Sequence, residues 1–385
     1  MTGPANFLPP AGPLAPVPSD RPEELPAQLR ARSEWLAVAE AEQRQDRGNE
    51  RAAAGEGGPQ AISRRSVLRG CGSAVAGLCL GAGWPGSKGM AAEPAAPVFD
   101  GKRAYDHLRA LCELGPRLSG SEGMDRQQRM VADHFLKLRA KVKFQSFDAP
   151  HPQTGNPVAM NNLVVSWHPQ STERVLLCCH YDTRPLPDRD PNPRLARSGV
   201  FVGANDGASG VALFMELGRH MAGLKPRFGI DFVFFDGEEL VYHPQDPFFL
   251  GSEHFARELR DKPPAHRYVY GVLFDMIADR RLNIYQEVYS LQYAPAIVAS
   301  LWDKAAELGV KEFIPRRQHE VRDDHLALNQ IAGVPTIDVI DFDYNPWHTT
   351  QDVPANCSAA SLAKVGRVLL AWLQDLPPEP PPVER

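Results

Sequence analysis

The chain has 385 residues, enough for one large domain or two ordinary ones, and its 43% hydrophobic and 23% charged residues are values of a globular protein rather than a disordered or fibrous one. A net charge of −5 argues against a nucleic-acid partner, which needs a basic face. The body of the chain has no apolar run of about eighteen residues, so no membrane span is expected in the mature chain.

In chain order, residues 1–97 read as an extension outside the fold. Prolines crowd the first 26 residues, and residues 62–70 (ISRRSVLRG) carry the pair Arg64-Arg65 ahead of a weakly apolar, glycine-rich run at 70–84. A charged segment, a short apolar segment and small residues such as Ala91 and Ala92 compose an export signal, and the paired arginines make it twin-arginine-like. The expected location is therefore periplasmic or extracellular. Residues 98–376 form the expected catalytic domain. Residues 377–385 are a proline-rich tail that, like the other end, reads as disordered.

Within the domain, apolar spacing predicts helices over 104–114, 124–140, 210–221, 294–308 and 358–373. Short apolar runs predict strands over 162–167 (NLVVSW), 174–179 (RVLLCC), 230–235 (IDFVFF), 268–274 (YVYGVLF) and 336–340 (TIDVI). The alternation argues for a single α/β domain with a mixed, largely parallel central sheet flanked by helices. Cysteines 112, 178, 179 and 357 show no CxxC spacing, which argues against a thiolate metal site, and Cys178-Cys179 read as core residues.

Chemistry-bearing residues gather where these strands end. RVLLCC runs into His180-Tyr181-Asp182, IDFVFF into Asp236-Gly237-Glu238-Glu239, YVYGVLF into Asp275, and TIDVI by a short loop into Trp347-His348. Asp206 lies in GANDGASG just before a helix. Ligands of open α/β sheets bind outside the carboxyl ends of the strands. Each residue alone has an ordinary reading: a half-buried histidine, a helix cap at Asn205-Asp206-Gly207, a solvated Glu238-Glu239 pair. One shared site accounts for all of them together. Carboxylates mixed with imidazoles and no thiolate suit zinc. Neighbouring side chains in extended chain point opposite ways, so one glutamate of the pair can bind metal while the other moves protons.

The motifs HYDTRP, GANDGASG, DGEE, LFDM, DDH and WHTTQD, with GPRLSGSEG at 115–123 ahead of them, resemble in order those of the zinc aminopeptidases of metallopeptidase family twenty-eight, a superfamily that also holds the zinc glutaminyl cyclases. The resemblance implies the aminopeptidase-like fold, zinc, and a peptide or protein amino terminus as substrate. It implies one of two sites. In an aminopeptidase, Asp206 would bridge two zincs, with Glu239 and His348 completing one and His180 and Asp275 the other, and Glu238 would deprotonate water. In a cyclase, a single zinc would sit on Asp206, Glu239 and His348. There Glu238 would shuttle a proton to departing ammonia, and Asp275 and Asp323 would form a hydrogen-bonded acidic pair. Trp347, directly before the ligand His348, is the expected substrate contact. The loop HYDTRPLPDRDPNP, the run LVYHPQDPFFLGS after DGEE, and the spacing of VRDDHLALNQIAGVP to PWHTTQD favour the cyclase.

Overall fold

The computed structural model describes residues 98–379; the extension, the Arg64-Arg65 segment and residues 380–385 lie outside them. The domain begins with helix α1 (Gly101–Cys112), capped by the Asp100 side chain, and α2 (Glu122–Lys137), capped by Ser121 of the GSEG segment with Glu122 and Asp125 in its first turn. Both caps satisfy otherwise unpaired amides at the helix start.

A six-stranded sheet follows, made of β1 (Lys141–Pro150), β2 (Pro157–Trp167), β3 (Glu173–His180), β4 (Gly229–Phe235), β5 (Arg267–Asp275) and β8 (Thr336–Ile340), in the order β1-β2-β4-β3-β5-β8. The strands β4, β3, β5 and β8 run parallel, while β2 is antiparallel to β1 and β4. Strands β4 and β8 are buried along their whole length, and β3 and β5 everywhere except at their first residues. Strands covered on both faces are unbroken apolar runs, which makes them legible in the sequence.

Side chains alternate across the sheet. Phe232 and Phe234 of β4 pack against Phe135 of α2 and against Phe214 of α4 (Ala208–Met221) on one face. Val233 and Phe235 join Phe255 of α5 (Leu250–Asp261) and Leu328 on the other. Helix α9 (Ala359–Gln374), capped by Ser358, buries Trp372 and Leu373 and closes the domain. Beyond α9, the Tyr270 hydroxyl donates to the Pro377 carbonyl, and Arg267 donates to Glu379.

Smaller elements complete the chain: α3 (Pro193–Ser198), a two-stranded sheet of β6 (Ile284–Gln286) and β7 (Phe313–Arg317), α6 (Val288–Tyr293), α7 (Pro295–Glu307), and α8 (Asp324–Ala327), which runs into a π-turn at Leu328–Ala332. The predicted elements lie within two or three residues of the observed ones at most ends, but β2 starts at Pro157, five residues early, and two substantial elements have no counterpart among those predicted. Strand β1 is a half-exposed edge with charged and polar residues, so it shows no apolar run. Helix α5 begins without a side-chain cap, at Phe249 in a left-handed conformation, and so carries no start signal.

The end of the sheet away from the strands' carboxyl termini is locked by a buried ion pair. Arg174 of β3 holds Asp231 of β4 through Nε and Nη2 at 2.8 and 2.7 Å, donates further to the carbonyls of Trp167, His168 and Ile230, and shares Asp231 with the Tyr268 hydroxyl. Removing one member leaves the other charge buried without compensation. An Asp231→Ala variant should lose about 3–5 kcal/mol of unfolding free energy in urea denaturation, whereas a loss within about 1 kcal/mol would show that the pair is dispensable.

Candidate active site

Because β3, β4, β5 and β8 are parallel, their carboxyl ends share one edge of the sheet, and the loops leaving them build the site. His180 is the last residue of β3 and pairs in register with Phe235; Asp275 is the last of β5 and pairs with Ile340. Asp206 precedes α4, Glu238 and Glu239 follow β4, and Trp347-His348 follow β8.

These side chains converge. His348 Nε2 lies 2.7 Å from Glu239 Oε1 and 3.4 Å from Asp206 Oδ2. On the other side of Asp206, His180 Nε2 lies 3.2 Å from Asp206 Oδ1 and 3.2 Å from Asp275 Oδ1. Two groups of donor atoms, Asp206-Glu239-His348 and His180-Asp206-Asp275, each fall within 4.8 Å of one another, and all five residues are buried. Glu238 Oε2 stands 3.8 Å from His180 Nδ1. Asp323 caps α8, accepting from the Asp324 amide at 2.6 Å. It lines the same cleft, of about 370 Å³, as Asp275, Glu238, Trp347 and the Asp206-Glu239-His348 group.

The electrostatics are those of a site crowded with negative charge. Burial first, and then Glu239, push Asp206 up to about 7. Burial, then Glu239, push Glu238 well above the carboxylate range. Burial and the neighbouring Asp275 do the same to Asp323. Glu239 is held near about 2: burial opposes its charge, but His348 outweighs it. Burial likewise opposes charge on His348 and His180. Glu239 nevertheless raises His348 to about 9, and hydrogen bonds to Asp182, Asp206 and Asp275 hold His180 well above the imidazole range. Asp206 Oδ2 and Glu239 Oε2 are buried with no hydrogen-bond partner. A cation between them would satisfy both atoms and relieve the mutual repulsion, and the O,O,N donor set fits zinc.

The cluster is held in place by residues that lie inside the sequence motifs without standing out as ligands or bases. Asp182 accepts from the amides of Glu238 and Glu239 at 3.1 and 2.9 Å, fixing the turn that presents both glutamates. Asp352 accepts from the amides of Asn205 and Asp206 at 2.8 and 3.1 Å and from the Tyr344 hydroxyl. Arg117, fully buried in GPRLSG, donates to the carbonyls of Val202 and Gly203 and braces the same loop. Spacing is the only sequence signal these residues leave: Asp182 lies two residues after His180, and Asp352 four after His348. Gly207, at φ +93°, leads from Asp206 into α4, and a Cβ there would come within 2.6 Å of the Asp182 carbonyl. His348 itself takes a left-handed φ of +56°, a strained conformation of the kind that persists where the surroundings impose it.

Comparison with known proteins matches this geometry. The model of peptidase family M28 fits residues 162–373. Among solved structures, glutaminyl cyclase of Fimbriiglobus ruber is 40% identical and superposes with a TM-score of 0.69 over 74% of this chain and 99% of that one. A leucine aminopeptidase precursor from Bacteroides thetaiotaomicron is 29% identical, with a TM-score of 0.68 over 72% of this chain and 98% of that one. Glutaminyl-peptide cyclotransferase of Gloydius blomhoffii is 28% identical over 251 residues, 55% of this chain; the match spans 64% of that relative's length. On its sequence, its sheet and the convergence of its strand ends, the chain belongs to peptidase family M28.

Proposed function

We propose that the protein is a zinc-dependent glutaminyl-peptide cyclotransferase, converting amino-terminal Gln of peptides or proteins to pyroglutamate with release of ammonia. The observation that carries this reading is Asp323: a buried carboxyl that lines the cleft together with Asp275 and is raised well above the carboxylate range by burial first and then by that neighbour. Two carboxyls so close cannot both ionise cheaply, and a pair sharing a proton can donate to and accept from a neutral amide. The likeness to the Fimbriiglobus ruber cyclase, nearly full length for that chain, supports it.

Asp206, Glu239 and His348 would hold the zinc, which when bound supplies Lewis-acid polarisation of the substrate's γ-carbonyl. Trp347 forms a wall of the cleft, its ring centroid 4.2 Å from that of His348, and would pack on the aliphatic part of the Gln side chain. The α-amine attacks the γ-carbon, forming the lactam C–N bond, and the bond to the side-chain nitrogen breaks. Glu238 takes the proton from the amine and returns it to the leaving nitrogen, so ammonia departs and no water is consumed. Its main chain is fixed by Asp182, which presents it at the cleft before substrate arrives.

One observation favours the two-zinc aminopeptidase: His180, Asp206 and Asp275 form a second donor group. Against it stands the higher identity to the Fimbriiglobus ruber glutaminyl cyclase, 40% against 29% for the leucine aminopeptidase precursor. We also infer export through the Arg64-Arg65 segment, on its residues alone. Among the described residues no helix is long and apolar enough to cross a membrane.

Incubating the protein with a Gln-initiated peptide and reading the product by mass spectrometry decides between the two chemistries: loss of ammonia is expected, and loss of the first residue would establish the aminopeptidase. Glu238→Gln should keep zinc and fold while turnover drops about 10²-fold or more, since proton transfer is removed and the metal stays; near-normal turnover would place the base elsewhere. Asp323→Ala should abolish cyclisation with zinc content unchanged at one per chain. Two zincs per chain by metal analysis, or normal cyclisation in that variant, would remove the acidic pair from the mechanism.

A further inference from the structure

The mouth of the cleft carries a charge imbalance that the chemistry above does not use. Of its outer acids, Asp188 is paired by Arg184 at 2.8 and 3.1 Å and lies 3.4 Å from His348, while Glu320 accepts from the neutral Tyr289 hydroxyl at 2.9 Å and keeps its charge, one acid against two arginines. Two exposed arginines at the same mouth, Arg189 and Arg322, make no ion pair among the described residues. Arg189 also lines a second recess of about 440 Å³, which shares Arg189, Phe342 and Trp347 with the first cleft. The one carboxylate of that recess, Asp343, lies 3.0 Å from His319 Nε2.

Arg189 is held in place before any ligand arrives. Its guanidinium carbon sits 4.0 Å from the centroid of the Trp347 ring, and its amide donates to the His348 carbonyl at 3.0 Å. The flanking Asp188 is tied to Arg184, and the flanking Asp190 accepts from the amide and hydroxyl of Thr350 at 3.0 and 2.6 Å. A fixed guanidinium loses little freedom on forming a paired hydrogen bond with a carboxylate. On the proposed reading, a substrate's first residue lies in the cleft, so the rest of the peptide must leave past the rim that carries these arginines.

We propose that Arg189 and Arg322 form a subsite for a carboxylate side chain at the second or third residue of the substrate, so that acidic amino termini are preferred over basic ones. This rests on the assignment of the cleft to the amino-terminal residue, but not on which reaction follows. The test measures kcat/KM by peptide consumption for Gln-Glu-Ala and Gln-Ala-Glu amides against the corresponding Lys peptides. In the wild-type protein at low salt, at least one Glu peptide should exceed its Lys counterpart about fivefold to tenfold, and the ratio should shrink at high salt. In the double variant Arg189→Gln, Arg322→Gln the ratio should fall close to one. If Arg189 only supports Trp347, all peptides slow together and the ratio survives; that result overturns the proposal, as do wild-type ratios below about twofold. Should the enzyme remove the first residue instead of ammonia, the cyclase reading fails while the ratio still reports on the subsite.

Discussion

The constraint on which the structure depends is the burial of many carboxylates at one edge of a parallel sheet. Asp206, Glu239, Asp275 and Asp323 are all buried there, with Glu238 beside them. In a low-dielectric interior such a set cannot stay fully ionised without compensating charge. The fold answers in three ways. His348 and His180 sit between the acids as hydrogen-bonding bases; Arg184 reaches Glu239 at 3.3 Å; and Asp323 and Glu238 are driven toward their protonated forms. What remains, a buried oxygen on each of Asp206 and Glu239 with no hydrogen-bond partner, in a group with His348, is a place for a cation.

Several acids around this edge restrain its backbone. Asp182 and Asp352 each commit both oxygens to consecutive amides, one under Glu238-Glu239 and the other under Asn205-Asp206. Asp236 does similar service deeper in the domain, accepting from the Ser119 hydroxyl and the Asn161 amide. Carboxylates used in this way tie a loop tightly without adding a ligand, since bonds from amides to a charged acceptor are among the stronger hydrogen bonds. The opposite end of the sheet carries the complementary device, Arg174 enclosed by Asp231 and four carbonyls. The domain is pinned at both ends of its strands, and loop geometry at the functional end inherits that rigidity.

On the proposed reading, cyclisation and hydrolysis would differ in what faces Asp275. The Asp206-Glu239-His348 group would serve either, so the distinction would fall to Asp323, delivered from the cap of a four-residue helix far along the chain. A neighbouring acid sharing its proton would make Asp275 half of a hydrogen-bonded pair, whereas a second ion would claim the same carboxylate for coordination.

The four parallel strands and the residues that terminate them follow from the order of amino acids alone, because fully buried strands are unbroken apolar runs. So does the grouping of Asp206, Glu238, Glu239 and His348, since acids and imidazoles seldom collect at several strand ends unless they share a site. Strand β1 and helix α5 stay hidden at that level, as an exposed polar edge shows no apolar run and an uncapped helix no start signal. Assembly of the domain settles that Asp206 stands between His348 and His180, that Asp182 and Asp352 accept from backbone amides, and that Arg189 lies on Trp347. The physical reason is that all of these relations join segments tens to more than a hundred residues apart, where spacing along the chain carries no information about distance. Which of several acids becomes a ligand, a clamp or a proton holder is set by burial and neighbours, and those exist only once the strands are assembled.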